Sequence, residues 1–146
     1  TREARGLGLD PGRVHLCGHS AGAHLAAMAA TEPDASKVAS LLLLSGLFDL
    51  APLGALPLGV LLGLDDAARA RRLGPIGRTR PACPVRFAYG QAESAAFADQ
   101  SARMAEAWGA PAPQVIAGKH HFSMLDSLRD GGPLLDLALA LAAEGC

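Results

Sequence analysis

Apolar and polar positions along this chain change rhythm repeatedly, from short apolar runs to longer stretches at helical spacing. Val14-His15-Leu16-Cys17 is a short apolar stretch that suits a buried strand. Ala21–Thr31 is alanine-rich and predicts a helix, broken by Glu32-Pro33-Asp34. Val38–Leu44 is a continuous apolar run, as expected of a strand buried on both faces. Gly46–Gly63, with Pro52, Pro57 and several glycines, predicts irregular structure. Asp65–Leu73 predicts a short helix whose acidic start and basic end match the helix dipole. Pro84–Tyr89 is a third strand. Ser94–Trp108 is a helix with Phe97, Ala98, Met104, Ala105 and Trp108 near helical spacing. Gln114–Ala117 is a short fourth strand, and a final helix runs from about Leu134 to Ala143. Thr1 begins inside what looks like the end of a helix. Repeated strand–helix–strand units predict an α/β fold, a mostly parallel sheet with helices on both faces. Ligands of such sheets bind at the carboxyl ends of the strands.

One of those ends carries a pattern with a mechanism. Gly18-His19-Ser20-Ala21-Gly22 is G-x-S-x-G, between a predicted strand and a predicted helix. In that context it forms a nucleophile elbow, a sharp turn that holds the serine backbone in a strained conformation. The flanking positions must be small, because strand and helix pass close together. The helix N-terminus then points free N–H groups at developing negative charge. Although the chain has 17 glycines, a chance match is expected only about 0.1 times.

A serine hydroxyl needs a base, and the base needs a third group to orient it. Gly118-Lys119-His120-His121-Phe122 follows the fourth strand and offers two histidines. Neighbours on an extended loop point opposite ways, so one of the pair is expected to face Ser20. Two acids follow strands: Glu93 after the third and Asp49 after the second. Asp49 alternatively caps the short helix that follows, and Glu93 alternatively sits as a first-turn acid of the next helix. Asp99 and Asp126 fall inside helical stretches and are expected to be solvated. The order serine, acid, histidine differs from that of chymotrypsin and subtilisin. His15, His19 and His24 straddle a strand, a turn and a helix, so their side chains should diverge and no metal site is expected there. Neither nucleotide-binding glycine loop occurs, and no cofactor is expected.

Composition narrows the class without changing this picture. At 146 residues, half of them hydrophobic, the chain is long enough for one domain with a real core. A net charge of −1 without a basic stripe argues against nucleic acid as a partner. Leu41-Leu42-Leu43-Leu44 is far too short to span a bilayer, so no membrane role is expected. Three cysteines, Cys17, Cys83 and Cys146, fit a reducing, cytoplasmic compartment better than a disulfide framework. Cys17 is expected to be a buried small hydrophobe.

Together these segments resemble the α/β-hydrolase superfamily, and within it the kynurenine formamidase (arylformamidase) and small-esterase branch. The resemblance rests on Gly18–Ala26, on Ser45-Gly46-Leu47-Phe48-Asp49-Leu50, on Gly90-Gln91-Ala92-Glu93-Ser94 with Phe97, Gln100 and Ser101, and on Gly118 with His121-Phe122. It implies Ser20 as nucleophile, His121 rather than His120 as base, and Glu93 rather than Asp49 as acid, with the Ala21 N–H as one oxyanion donor. Asp49 would belong to a structural turn. Formamidases often carry aspartate where Glu93 stands and a smaller residue where His120 stands. The family's His-Gly-Gly loop has no counterpart among these residues.

The resemblance therefore implies that residues 1–146 correspond to the C-terminal portion of a single hydrolase domain, a partial fold without the N-terminal strands. The expected activity is hydrolysis of a small-molecule ester or aryl-formamide. The alternatives are a general short-chain carboxylesterase and an inactive fragment. On its own the chain is expected to be a poor catalyst with an exposed central strand.

Overall fold

A computed structural model describes residues 4–144 apart from Asp34, Ser36 and Lys37. The helix end expected at Thr1, part of the helix break at Asp34, and Cys146 lie outside the described residues. A 3-10 turn over Ala4–Leu7 opens the described chain. There follow β1 (Val14–His19), α1 (Ala21–Ala30), β2 (Val38–Leu44), α2 (Pro57–Leu61), α3 (Ala67–Leu73), β3 (Val85–Gly90), α4 (Ala95–Ala107), β4 (Gln114–Ile116), α5 (Asp126–Arg129) and α6 (Pro133–Glu144).

The strands form one sheet in the order β1-β2-β3-β4, every pair parallel. His19 pairs with Leu44 and Leu44 with Ala88, so the carboxyl ends of β1, β2 and β3 fall on one edge of the sheet. Successive Cβ atoms of a strand point to opposite faces, and this splits the apolar run of β2 between two cores. Leu41 and Leu43 pack with Ala23, Ala27 and Ala30 of α1, Phe87 of β3, Met104 and Ala105 of α4, and Trp108 just after it. Leu42 and Leu44 pack on the other face with Ala88, Ile116, Met124 and, from α6, Leu134 and Leu141. Phe48 meets Phe87 edge to face, with ring centroids 5.6 Å apart. The Trp108 indole donates to the Arg78 carbonyl at 3.0 Å, tying the end of α4 to the segment before β3. No helix among the described residues is long and apolar enough to cross a membrane.

Three expectations need correction. Cys17 is exposed, not buried. α6 covers β2 and β3 on that face and leaves His15 and Cys17 of β1 open, while Leu16 packs on the α1 side. The segment Gly46–Gly63 is not wholly irregular, because α2 starts at Pro57, where the fixed proline φ suits a first helical turn. Asp65 is not in α3. Asp66 caps that helix instead, its Oδ1 accepting from the Ala68 and Arg69 N–H groups at 2.8 and 3.2 Å.

Candidate active site at the strand ends

The turn between β1 and α1 is as tight as the G-x-S-x-G spacing requires. Ser20 has φ 56° and ψ −122°, a conformation that costs a non-glycine residue roughly 1–3 kcal/mol. Its N–H donates to the Leu44 carbonyl at 2.9 Å, and its carbonyl accepts from the Ala23 and His24 N–H groups that begin α1. Ala21 therefore stands at the unpaired first turn of the helix, where N–H groups face outward. A Cβ on Gly18 would lie 2.2 Å from the Gly22 carbonyl oxygen. The expected requirement for smallness holds at Gly18 alone, since a Cβ on Gly22 meets nothing within 4 Å among the described residues.

Glu93 and His121 come together beside this turn. The His121 ring hydrogen-bonds through Nδ1 to Glu93 Oε1 at 2.6 Å. Because a carboxylate only accepts, Nδ1 donates this bond, and in the neutral ring the lone pair is then on Nε2. The loops that deliver the two residues are stitched together. The Ala92 N–H donates to the Lys119 carbonyl at 2.9 Å, Gln91 N–H to the Ile116 carbonyl, and Gly118 N–H to Gln91 Oε1. The Glu93 side chain is 1 % exposed, and its second oxygen accepts from the Ser45 hydroxyl at 2.8 Å and the Gly90 N–H at 3.1 Å. His121 is stacked on Phe97 at 4.4 Å and meets Phe122 edge-on at 5.2 Å. No hydrogen bond joins the Ser20 hydroxyl to His121 in this structure. Such contacts commonly tighten only when substrate is bound.

The competing residues go elsewhere. Asp49 accepts from the Ala51 N–H at 3.0 Å and from Arg103 at 2.6 Å. Gln100 holds the same turn, accepting from the Phe48 and Asp49 N–H groups and donating to the Asp49 carbonyl. His120 is exposed, and its Nδ1 lies 3.3 Å from the N–H groups of Phe122 and Ser123. Asp99 and Asp126 face solvent in surface pairs with Arg103 and Arg129. His15 bonds the Ser40 hydroxyl and His24 the Leu47 carbonyl, so His15, His19 and His24 do diverge.

Two residues of the site carried no role in the sequence. Ser45 was visible only as part of the Ser45–Leu50 string, yet it sits at φ 46° and lies 2.9 Å from Met124 Sδ as well as bonding Glu93. His19 lies against His121, with ring centroids 4.4 Å apart. Its Nε2 is buried without a hydrogen-bond partner, which costs about 1–3 kcal/mol. Burial, and then the repulsion the two imidazoles would feel if both were protonated, push the His19 pKa below the ordinary histidine value. One donor atom each from His19, Glu93 and His121 lie within 4.8 Å of one another. On the helix side of the elbow an apolar cavity of about 300 Å³ is lined by Ala21, His24, Leu47, Leu50, Leu62 and Leu73 among others.

Comparison with known proteins bears on the family and the fold. Residues 2–143 match the sequence profile of the Alpha/beta hydrolase family. A kynurenine formamidase from Danio rerio is 31% identical over 136 residues, covering 84% of this chain and 46% of that protein. The crystal structure of a putative thioesterase from Silicibacter sp. superposes with a TM-score of 0.76 at 29% identity, over 94% of this chain and 53% of that one. A truncated carbohydrate esterase from gut microbiota shares the fold, with a TM-score of 0.75 at 17% identity over 97% of this chain and 64% of that one. The chain thus spans about half the length of the first two relatives.

Proposed function

The chain belongs to the alpha/beta hydrolase family, and we propose that Ser20, His121 and Glu93 serve in it as nucleophile, base and orienting acid of a serine hydrolase. The observation that carries this reading is the 2.6 Å bond from His121 to a buried Glu93, next to a serine on a strained turn. In the proposed reaction His121 Nε2 takes the Ser20 proton as the oxygen attacks a carbonyl carbon. The Ala21 N–H, at the start of α1, donates to the oxygen on which charge develops. The resulting imidazolium is held by the Glu93 carboxylate, and gives its proton to the departing amine or alcohol. Water, activated by the same histidine, then releases the acyl group from Ser20.

For substrate we propose an aryl-formamide or a small ester, because the formamidase from Danio rerio is 31% identical to this chain. The apolar cavity beside Ala21 would accept the hydrophobic half of such a molecule. A second reading is a general short-chain carboxylesterase, since the putative thioesterase that is 29% identical is named for an acyl substrate other than a formamide. We further propose a reducing, cytoplasmic setting, in keeping with the free thiols of Cys17 and Cys83.

The test is a kinetic comparison of N-formylkynurenine with p-nitrophenyl acetate in the full chain, together with labelling by a fluorophosphonate probe. Labelling lost in Ser20→Ala and a higher kcat/KM for N-formylkynurenine would support the formamidase reading. A reversed preference would favour the esterase. Labelling that survives Ser20→Ala would remove Ser20 as nucleophile.

A further inference from the structure

His19 is a histidine of this site that the proposed reaction does not use. Its Nε2 is buried and has no hydrogen-bond partner, although buried polar atoms are nearly always paired. It stands beside His121 and Glu93, with one donor atom from each of the three within 4.8 Å. Two imidazoles and one carboxylate are the donor set that suits zinc and its first-row neighbours, and they suit magnesium or calcium poorly. We propose that His19, Glu93 and His121 form an inhibitory binding site for a transition-metal dication, zinc in the first instance. The proposal rests on His121 being the base.

The chemistry of inhibition follows from the imidazole. A metal on His121 Nε2 occupies the lone pair that would accept the Ser20 proton. A metal on Nδ1 displaces the proton shared with Glu93, which moves to Nε2 and blocks the same lone pair. Either mode consumes the base, and wherever Glu93 itself ligates the metal its bond to His121 Nδ1 is given up as well. His15, His24 and His120 have other partners and lie outside the cluster.

The experiment measures zinc affinity in the full chain by competition with a chromophoric chelator, with magnesium as the control cation. Wild type and Ser20→Ala should each bind one zinc with equal affinity. His19→Phe, which keeps a ring against His121, should bind at least ten-fold more weakly, and Glu93→Gln likewise. His120→Gln should bind as wild type does. His19→Gln serves if His19→Phe fails to melt cooperatively. Because Ser20→Ala is included, binding is tested even if the protein hydrolyses nothing. Where turnover is measurable, zinc should suppress it and a chelator should restore it. Zinc binding unchanged by both His19 variants, binding lost in His120→Gln, or turnover indifferent to a zinc ion bound through His19 would each overturn the proposal.

Discussion

The Ser45 hydroxyl donates to Glu93 Oε2 at 2.8 Å, on the opposite carboxylate oxygen from the one His121 holds. The two bonds fix the plane of a carboxylate that has almost no contact with water. Ser45 reaches it from a backbone at φ 46°, just past the end of β2, with its N–H bonded to the Ala88 carbonyl. A hydrogen bond to a charged group is worth about 1.5–3 kcal/mol. Ser45→Ala should therefore lower kcat by about ten-fold, given that part of this loss falls on the orientation of His121. Ser45→Gly should lose activity to the same degree while melting higher than Ser45→Ala, because glycine accepts the positive φ freely. Ester turnover and thermal melts of both variants check this. Wild-type turnover in Ser45→Ala would show that the bond is dispensable to catalysis.

The two acids should separate by kind of effect. Glu93→Gln keeps the shape but removes the charge facing His121 and turns one acceptor into a donor, and should cut kcat by on the order of 10²–10⁴ in a protein that melts lower but still folds. Asp49→Asn keeps an acceptor for the Ala51 N–H and weakens the pair with Arg103. It should cost about 0.5–1 kcal/mol of stability and leave turnover near wild type. The measurement is kcat alongside urea unfolding for both variants. If Asp49→Asn is the inactive one, the roles must be exchanged.

How far the sequence reveals this arrangement depends on whether the information is local. The elbow was legible because a strand, a tight turn and a helix leave a contiguous signature at residues 14–30. β2 was legible because Val38–Leu44 is apolar on both faces, and both faces are covered. Cys17 was misjudged because its burial depends on which strands α6 covers, and no neighbour of Cys17 in the sequence records that. α2 escaped because Leu58, Val60 and Leu61 are all exposed and set up no amphipathic period. Choosing between Glu93 and Asp49 was beyond spacing alone. Both follow strands, and what separates them is the long-range partner, His121 for one and Arg103 for the other. Ser45 and His19 act through contacts with residues far along the chain, which a linear pattern cannot display.

Acid should act on α3 through its cap. Two backbone N–H bonds hold Asp66 below the ordinary carboxylate pKa of 3.8, and Arg72 and Arg69 add to this. A depressed folded pKa means that the cap's stabilisation is fully present above pH 3.8 and is lost as pH falls through the folded value. Asp66→Asn supplies a cap that does not titrate. Wild type should melt higher than Asp66→Asn at pH 6, and the difference should shrink toward zero as the pH drops below 3.8. A difference that stays constant down to pH 3 would show that the charge of Asp66 contributes nothing to the cap.

The two glycines of the elbow should respond oppositely to the same change. Gly18→Ala puts a methyl group 2.2 Å from the Gly22 carbonyl oxygen, and that oxygen belongs to backbone that cannot swing aside. Strand and helix must then separate, at a cost of roughly 1–3 kcal/mol or more. Ser20 rides on the same turn, so its φ of 56° should relax and its oxygen should shift from its place at the start of α1. Turnover should fall even where the protein remains folded. Gly22→Ala meets nothing within 4 Å among the described residues and lies in the first turn of α1, where alanine favours the helix over glycine by up to about 1 kcal/mol. It should be neutral or stabilising. Urea unfolding of both variants, with fluorophosphonate labelling rates at Ser20, separates packing from chemistry. Equal destabilisation by the two substitutions would mean that the close approach at Gly18 is not what sets the turn.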